Sequence, residues 1–131
     1  MLKTRCIKST RQTDDGWRIS IMSRHTKNDG VTPDEDITND SYDEWWSKLS
    51  PAPKLVGDYY RGTLSWEDFA IKFNEFLKQP NTHDKLMVLV SLAKVRNITI
   101  LCIEDGPEYC HRRLVAERCL ELDNTLELVI E

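Results

Sequence analysis

A chain of 131 residues, 40% hydrophobic and 31% charged, has the composition of one globular domain and is long enough to fold without a disulfide or a metal. Its 18 Lys and Arg against 22 Asp and Glu leave a net charge of −4, which argues against a broad, non-specific nucleic-acid surface. The four cysteines, Cys6, Cys102, Cys110 and Cys119, form no CxxC pair and are too few for a disulfide scaffold. Charges interrupt Met1–Cys6, so no signal peptide is read there, and no apolar run reaches the roughly 20 residues of a membrane span. The expectation is a cytoplasmic protein with free thiols and no membrane partner.

Residues 3–7 and 17–23 read as strands. Trp17-Arg18-Ile19-Ser20-Ile21-Met22 alternates as a strand with one covered face does. Asp14-Asp15-Gly16 between them is a turn signal. Residues 25–40 are polar and carry Gly30 and Pro33, which predicts a long exposed loop, either a functional lid or a solvated connection. Ser41-Tyr42-Asp43-Glu44 has the capping-box pattern and predicts a short helix through Leu49, stopped by Pro51 and Pro53. Another short helix is expected over Lys54 to Tyr60.

Ser65 opens a clearer helix, with Trp66, Phe69, Ala70, Phe73, Phe76 and Leu77 at core-facing spacing. Gln79-Pro80-Asn81 ends it, and His83 to Val95 reads as a further helix. Ile98–Ile103 is an apolar strand, Cys110 to Leu122 a helix with Leu114, Val115, Cys119 and Leu122 as its stripe, and Leu126 to Ile130 a last strand. A helix separates the last two strands, so they are expected as parallel neighbours. The order implies a single α/β domain over residues 1–131, a mostly parallel sheet flanked by helices.

The chemistry concentrates between the last two of those elements. The strand ends in Cys102, a Gly106-Pro107 loop follows, and a helix opens on Cys110-His111-Arg112-Arg113. A helix start has unpaired N–H groups and a positive dipole end, which favour a bound anion or a cysteine's own thiolate. Cys110 therefore reads as a nucleophile or redox thiol, or else as a small buried packing residue. Cys102, at the carboxyl end of its strand, reads as a resolving thiol or as core. His111 reads as a base or as a capping residue; adjacent helical positions point about 100° apart, so it need not face Cys110.

Arg112 and Arg113 read as clamps for a phosphate or carboxylate, or as partners of Glu108 and Glu117. One of the two is expected to face the site. Arg24 and His25, at the end of another strand, are candidate contributors from across the sheet. A metal set of Cys102, Cys110, His111 and His25 has a spacing that matches no common zinc pattern, so no metal is assigned. Trp45, Trp46, Tyr59 and Tyr60 read as an aromatic cluster, either core or a stacking platform. Cys6 and Cys119 are assigned to packing.

The segments together carry a resemblance. Asp14-Asp15-Gly16-Trp17-Arg18, the Tyr42–Pro51 stretch, Trp66-Glu67-Asp68-Phe69 with Phe73, and Leu101-Cys102-Ile103-Glu104 with Cys110-His111-Arg112 resemble the domain of unknown function 488 family, the YeaO-like proteins. The likeness runs through nearly the whole chain. Where the YeaO-like branch carries Asp-Arg-x-Trp-Pro-Arg-Gly after the second strand, this chain has Ser23–Gly30, and only Arg24 and a later Gly correspond. The resemblance implies a fold and a location for the site; it implies no activity. Two functions stay open: a thiol-bearing anion site, as enzyme or redox sensor, or a non-catalytic module that binds a nucleotide, nucleic acid or protein. A small anionic ligand is the partner these residues point to, and no phosphate loop, dinucleotide fingerprint or Ser-His-Asp pattern names a substrate or cofactor.

Overall fold

The computed structural model describes all residues, 1–131. Five strands form one parallel sheet: β1 (Leu2–Cys6), β2 (Trp17–Ser20), β3 (Glu44–Trp45), β4 (Ile98–Cys102) and β5 (Leu128–Ile130), in the order β3-β2-β4-β1-β5. Four helices accompany them: α1 (Pro53–Tyr60), α2 (Trp66–Leu77), α3 (Pro80–Val95) and α4 (His111–Leu122). The α/β class is as the sequence implies, and the sheet is wholly parallel. The last two strands are not neighbours, however: β1 lies between β4 and β5 and pairs with both.

Side chains alternate across a strand, so the sheet has two unlike faces. Leu2, Ile19, Ile98 and Ile100 join the core with Phe69, Phe73, Leu86, Leu89, Val115 and Cys119 from the helices. Lys3, Arg5, Arg18 and Thr99 occupy the other positions of the same strands and converge on the Thr13–Asp15 turn. Asp15, fully buried, accepts from Lys3 Nζ (3.2 Å), Arg5 Nη1 (3.0 Å) and Arg18 Nη1 (2.9 Å), while its carbonyl accepts from Thr99 Oγ1 (2.7 Å). This is one buried carboxylate holding three cations beneath the sheet. Gly16 makes the turn possible. Its φ is 63°, and a Cβ there would meet the Asn97 carbonyl oxygen at 2.0 Å.

Three elements differ from the expectations. The helix predicted from Ser41 is absent; β3 and a short 3-10 turn (Ser47–Leu49) stand there. The Asp43 carboxylate accepts from the Arg18 N–H (2.8 Å) and from Arg11, and the Trp46 N–H donates to the Ser20 carbonyl. Those bonds hold the segment as a sheet edge. α3 starts three residues before His83, because Pro80 occupies its first turn, where the missing N–H costs nothing. β2 stops at Ser20, whose hydroxyl accepts from the Met22 N–H and pairs with His25 Nε2 at 2.7 Å. Residues 25–40 do form a loop without strand or helix, tied by one bridge between Thr26 and Pro33. No helix is long and apolar enough to cross a membrane.

Candidate functional site

Cys102 is the last residue of β4, and Cys110 is the residue that caps α4 at its amino end. The intervening loop folds back so that Cys102, Cys110 and His111 place their sulfur and ring-nitrogen atoms within 4.8 Å of one another. All three are nearly buried, at 4%, 2% and 7% exposure. They line the floor of a cleft of about 310 Å³ above the carboxyl ends of β2 and β4, where ligands of open α/β sheets bind. Tyr59, Trp66, Phe69 and Tyr109 form an aromatic wall, and Arg24 and Lys27 stand on the opposite, polar loop.

His111 has a defined tautomer. Its Nε2 lies 2.7 Å from the Ile21 carbonyl, which can only accept, so Nε2 carries a proton. In the neutral ring Nδ1 is then the acceptor, and it faces Cys102 Sγ at 3.3 Å. Phe73 meets the imidazole edge-on at 5.5 Å between ring centres and fixes its plane.

The two thiols are unequal. Burial pushes Cys110 up, but its neighbours Cys102 and His111 and the charge of Arg112 outweigh it and hold Cys110 well below the ordinary thiol range. Burial and the hydrogen bond to Cys110 push Cys102 the other way, well above that range. The pair is therefore biased to lose its first proton from Cys110 rather than from Cys102. All four cysteines are free thiols. Cys119 lies in the core, pushed up to about 12 by burial, and Cys6 donates to the Ile103 carbonyl at 3.4 Å.

The arginines after His111 do not line the cleft. Arg112 is fully buried and donates to the carbonyls of Glu104 (2.7 Å), Asp105 (3.3 Å) and Glu131 (3.1 Å). It folds the β4–α4 loop onto Glu131, just beyond β5. Arg113 pairs with Glu117 and donates to the carbonyls of Pro107 and Glu108. Neither is free to clamp an anion; Arg112 acts on the site through its charge. Arg24 lines the cleft, with one guanidinium nitrogen on the Gly30 carbonyl at 2.9 Å. His25 does not line it: the ring stacks on Trp45 at 4.0 Å and is bonded to Ser20, with burial lowering its pKa. Of the four-residue metal set, three are assembled and His25 stands apart.

The four aromatics expected as one cluster are divided. Trp45 covers His25, and Trp46 lies in the core under Lys85. Tyr59 and Tyr60 reach the cleft, where Tyr60 donates to Glu104 at 2.5 Å. Sequence reasoning missed Glu104, Trp66 and Tyr109 as cleft residues, and also the Ile21 carbonyl. Glu104 directly follows the β4 strand, a positional signal for cleft lining; a backbone carbonyl carries none.

A family model described as the active DUF488-N3 subclade matches residues 2–122. The chain belongs to the DUF488 family. No curated protein and no solved structure matches it.

Proposed function

We propose that this DUF488 family member is a redox-active thiol protein, with Cys110 as the attacking thiolate, Cys102 as the resolving thiol and His111 as the proton holder. The observation that carries the reading is the pairing of the two free sulfurs beside one imidazole on a cleft floor. A nucleophile needs a base within reach and a third group to orient the base. His111 Nδ1 is the base, and the Ile21 carbonyl orients it. The start of α4 adds its N–H groups and dipole to Arg112 in favouring negative charge on Cys110.

Thiol–disulfide exchange is the chemistry that uses every part. The Cys110 thiolate attacks one sulfur of a substrate disulfide, forming a mixed disulfide and releasing the other sulfur as a thiolate, which takes a proton. Cys102, deprotonated by His111 Nδ1, then attacks the Cys110 sulfur. The Cys102–Cys110 bond closes, and the second substrate thiolate leaves with the proton from His111. The substrate gains two electrons and two protons; the protein supplies both electrons and the Cys102 proton, and water supplies the proton taken by the first thiolate to leave. Arg24 and Lys27 on the rim favour a substrate that carries a carboxylate or phosphate.

Adding a small anionic disulfide, oxidised glutathione, to the reduced, metal-free protein and mapping its peptides without reduction tests the reading. A Cys102–Cys110 crosslink is expected, replaced by a mixed disulfide on Cys110 in the Cys102→Ser variant. Mixed disulfides confined to Cys6, with Cys102 and Cys110 still reduced, would show that the pair is structural.

A further inference from the structure

The same three side chains have the composition and disposition of a metal site. We infer that Cys102 Sγ, Cys110 Sγ and His111 Nδ1 bind one thiophilic divalent cation, Zn²⁺, leaving its fourth position open to the cleft. Two thiolates and an imidazole are the donors zinc prefers. Cys102 Sγ and His111 Nδ1 stand 3.3 Å apart, about the edge a tetrahedral ion imposes at about 2.0–2.3 Å per bond. All three donor atoms lie within 4.8 Å of one another, so closing the set takes movements of about 1 Å.

The surroundings of His111 are the second argument. A ligating histidine characteristically donates its other ring N–H to a carboxylate or a backbone carbonyl, which fixes the tautomer. Here Nε2 is bonded to the Ile21 carbonyl at 2.7 Å, so the free lone pair is on Nδ1, the nitrogen beside the sulfurs. Charge balance is the third. Two thiolates cannot both be held in a buried pocket alone, whereas with a divalent cation they make a neutral set. The one further charge is that of Arg112, whose nitrogens rest on three backbone carbonyls. Three protein ligands with an open position is the arrangement of zinc sites that take a water or a substrate atom, rather than of closed structural ones. Because the ligands line the cleft floor, a cleft ligand reaches that position.

The inference goes beyond the redox reading and stands separately from it. The metal occupies the reduced site and displaces whatever thiol proton remains there, with no change of oxidation state. Zinc-loaded protein is therefore expected to resist the exchange chemistry until the ion is removed.

The test is titration of the reduced, chelator-stripped full chain with Zn²⁺ against a chromophoric chelator, and with Co²⁺ for its thiolate charge-transfer and tetrahedral ligand-field bands. One equivalent is expected to bind. Cys102→Ser, Cys110→Ser and His111→Gln should each weaken it by about 100-fold or more, while Cys6→Ser leaves it unchanged. Where a variant fails to fold, the wild-type chain still decides: bound Zn²⁺ should slow alkylation of Cys102 and Cys110 and leave that of Cys6 as it was. Absence of saturable binding, or binding with no protection of Cys102 and Cys110, overturns the inference and leaves the redox reading standing. Stoichiometric zinc binding by a protein whose chelator-stripped, reduced form glutathione disulfide does not crosslink would keep the inference and overturn the redox reading.

Discussion

At the scale of single residues, chemistry and packing separate sharply among groups that look alike in sequence. Cys102, Cys110 and Cys119 are all buried, yet only the first two gather at an imidazole, while Cys119 sits among apolar side chains. The motif Cys110-His111-Arg112-Arg113 could be placed at a helix start that follows a strand end, because both are recognisable from residue type. It did not say which way each side chain turns. Arg112 turns inward to three carbonyls, and that choice is made by the path of the loop and by Glu131, 19 residues away. His111→Gln removes the imidazole that helps hold Cys110 below the ordinary thiol range, so alkylation of Cys110 should slow by at least about tenfold, read as a pseudo-first-order rate on the folded, metal-free variant. Gly16→Ala forces a side chain into backbone at a positive φ. It should cost at least about 2 kcal/mol, measured by urea denaturation.

At the scale of elements, two similar patterns had opposite outcomes. Ser65-Trp66-Glu67-Asp68 caps α2, with Ser65 Oγ accepting from the Asp68 N–H at 3.1 Å. Ser41-Tyr42-Asp43-Glu44 caps nothing. A cap contributes about 1 kcal/mol, and the second segment gains more as a sheet edge, where Asp43 holds Arg11 and the Arg18 N–H. Local patterns state preferences, and long-range partners decide between them. The α2 helix was legible because its cap and its aromatic stripe agree. The order of the strands was not, since nothing local places β1 between β4 and β5. Ser65→Ala should lower stability by about 1 kcal/mol, seen as a lower urea midpoint with an unchanged slope.

At the scale of the whole molecule, the sheet divides three tasks among its surfaces. One face carries the apolar core, the other buries the Asp15 network, and the carboxyl edge holds the site. The network ties β1 and β2 to the first turn, so its loss is global. Asp15 is held at about 2, below the ordinary 3.8: hydrogen bonds from Gln12, Arg18 and Lys3 and the charge of Arg5 together outweigh a burial penalty larger than any one of them. A depressed folded pKa stabilises fully above the unfolded value and is lost as pH falls through the folded one. Stability should therefore drop between about pH 4 and pH 2. Asp15→Asn should cost about 3–5 kcal/mol at neutral pH, because three buried or half-buried cations lose their counter-charge, and it should flatten that acid limb. Asp29 and Asp123, also held at about 2, keep part of it. On the proposed reading, this architecture makes one thiol reactive at the cleft floor. The most direct measurement is the alkylation rate of each cysteine in the reduced, metal-free native protein at neutral pH, resolved by peptide mass spectrometry. Cys110 should react fastest despite being more buried than Cys6, with Cys119 protected until the chain unfolds. A Cys110 as inert as Cys119 would contradict the account.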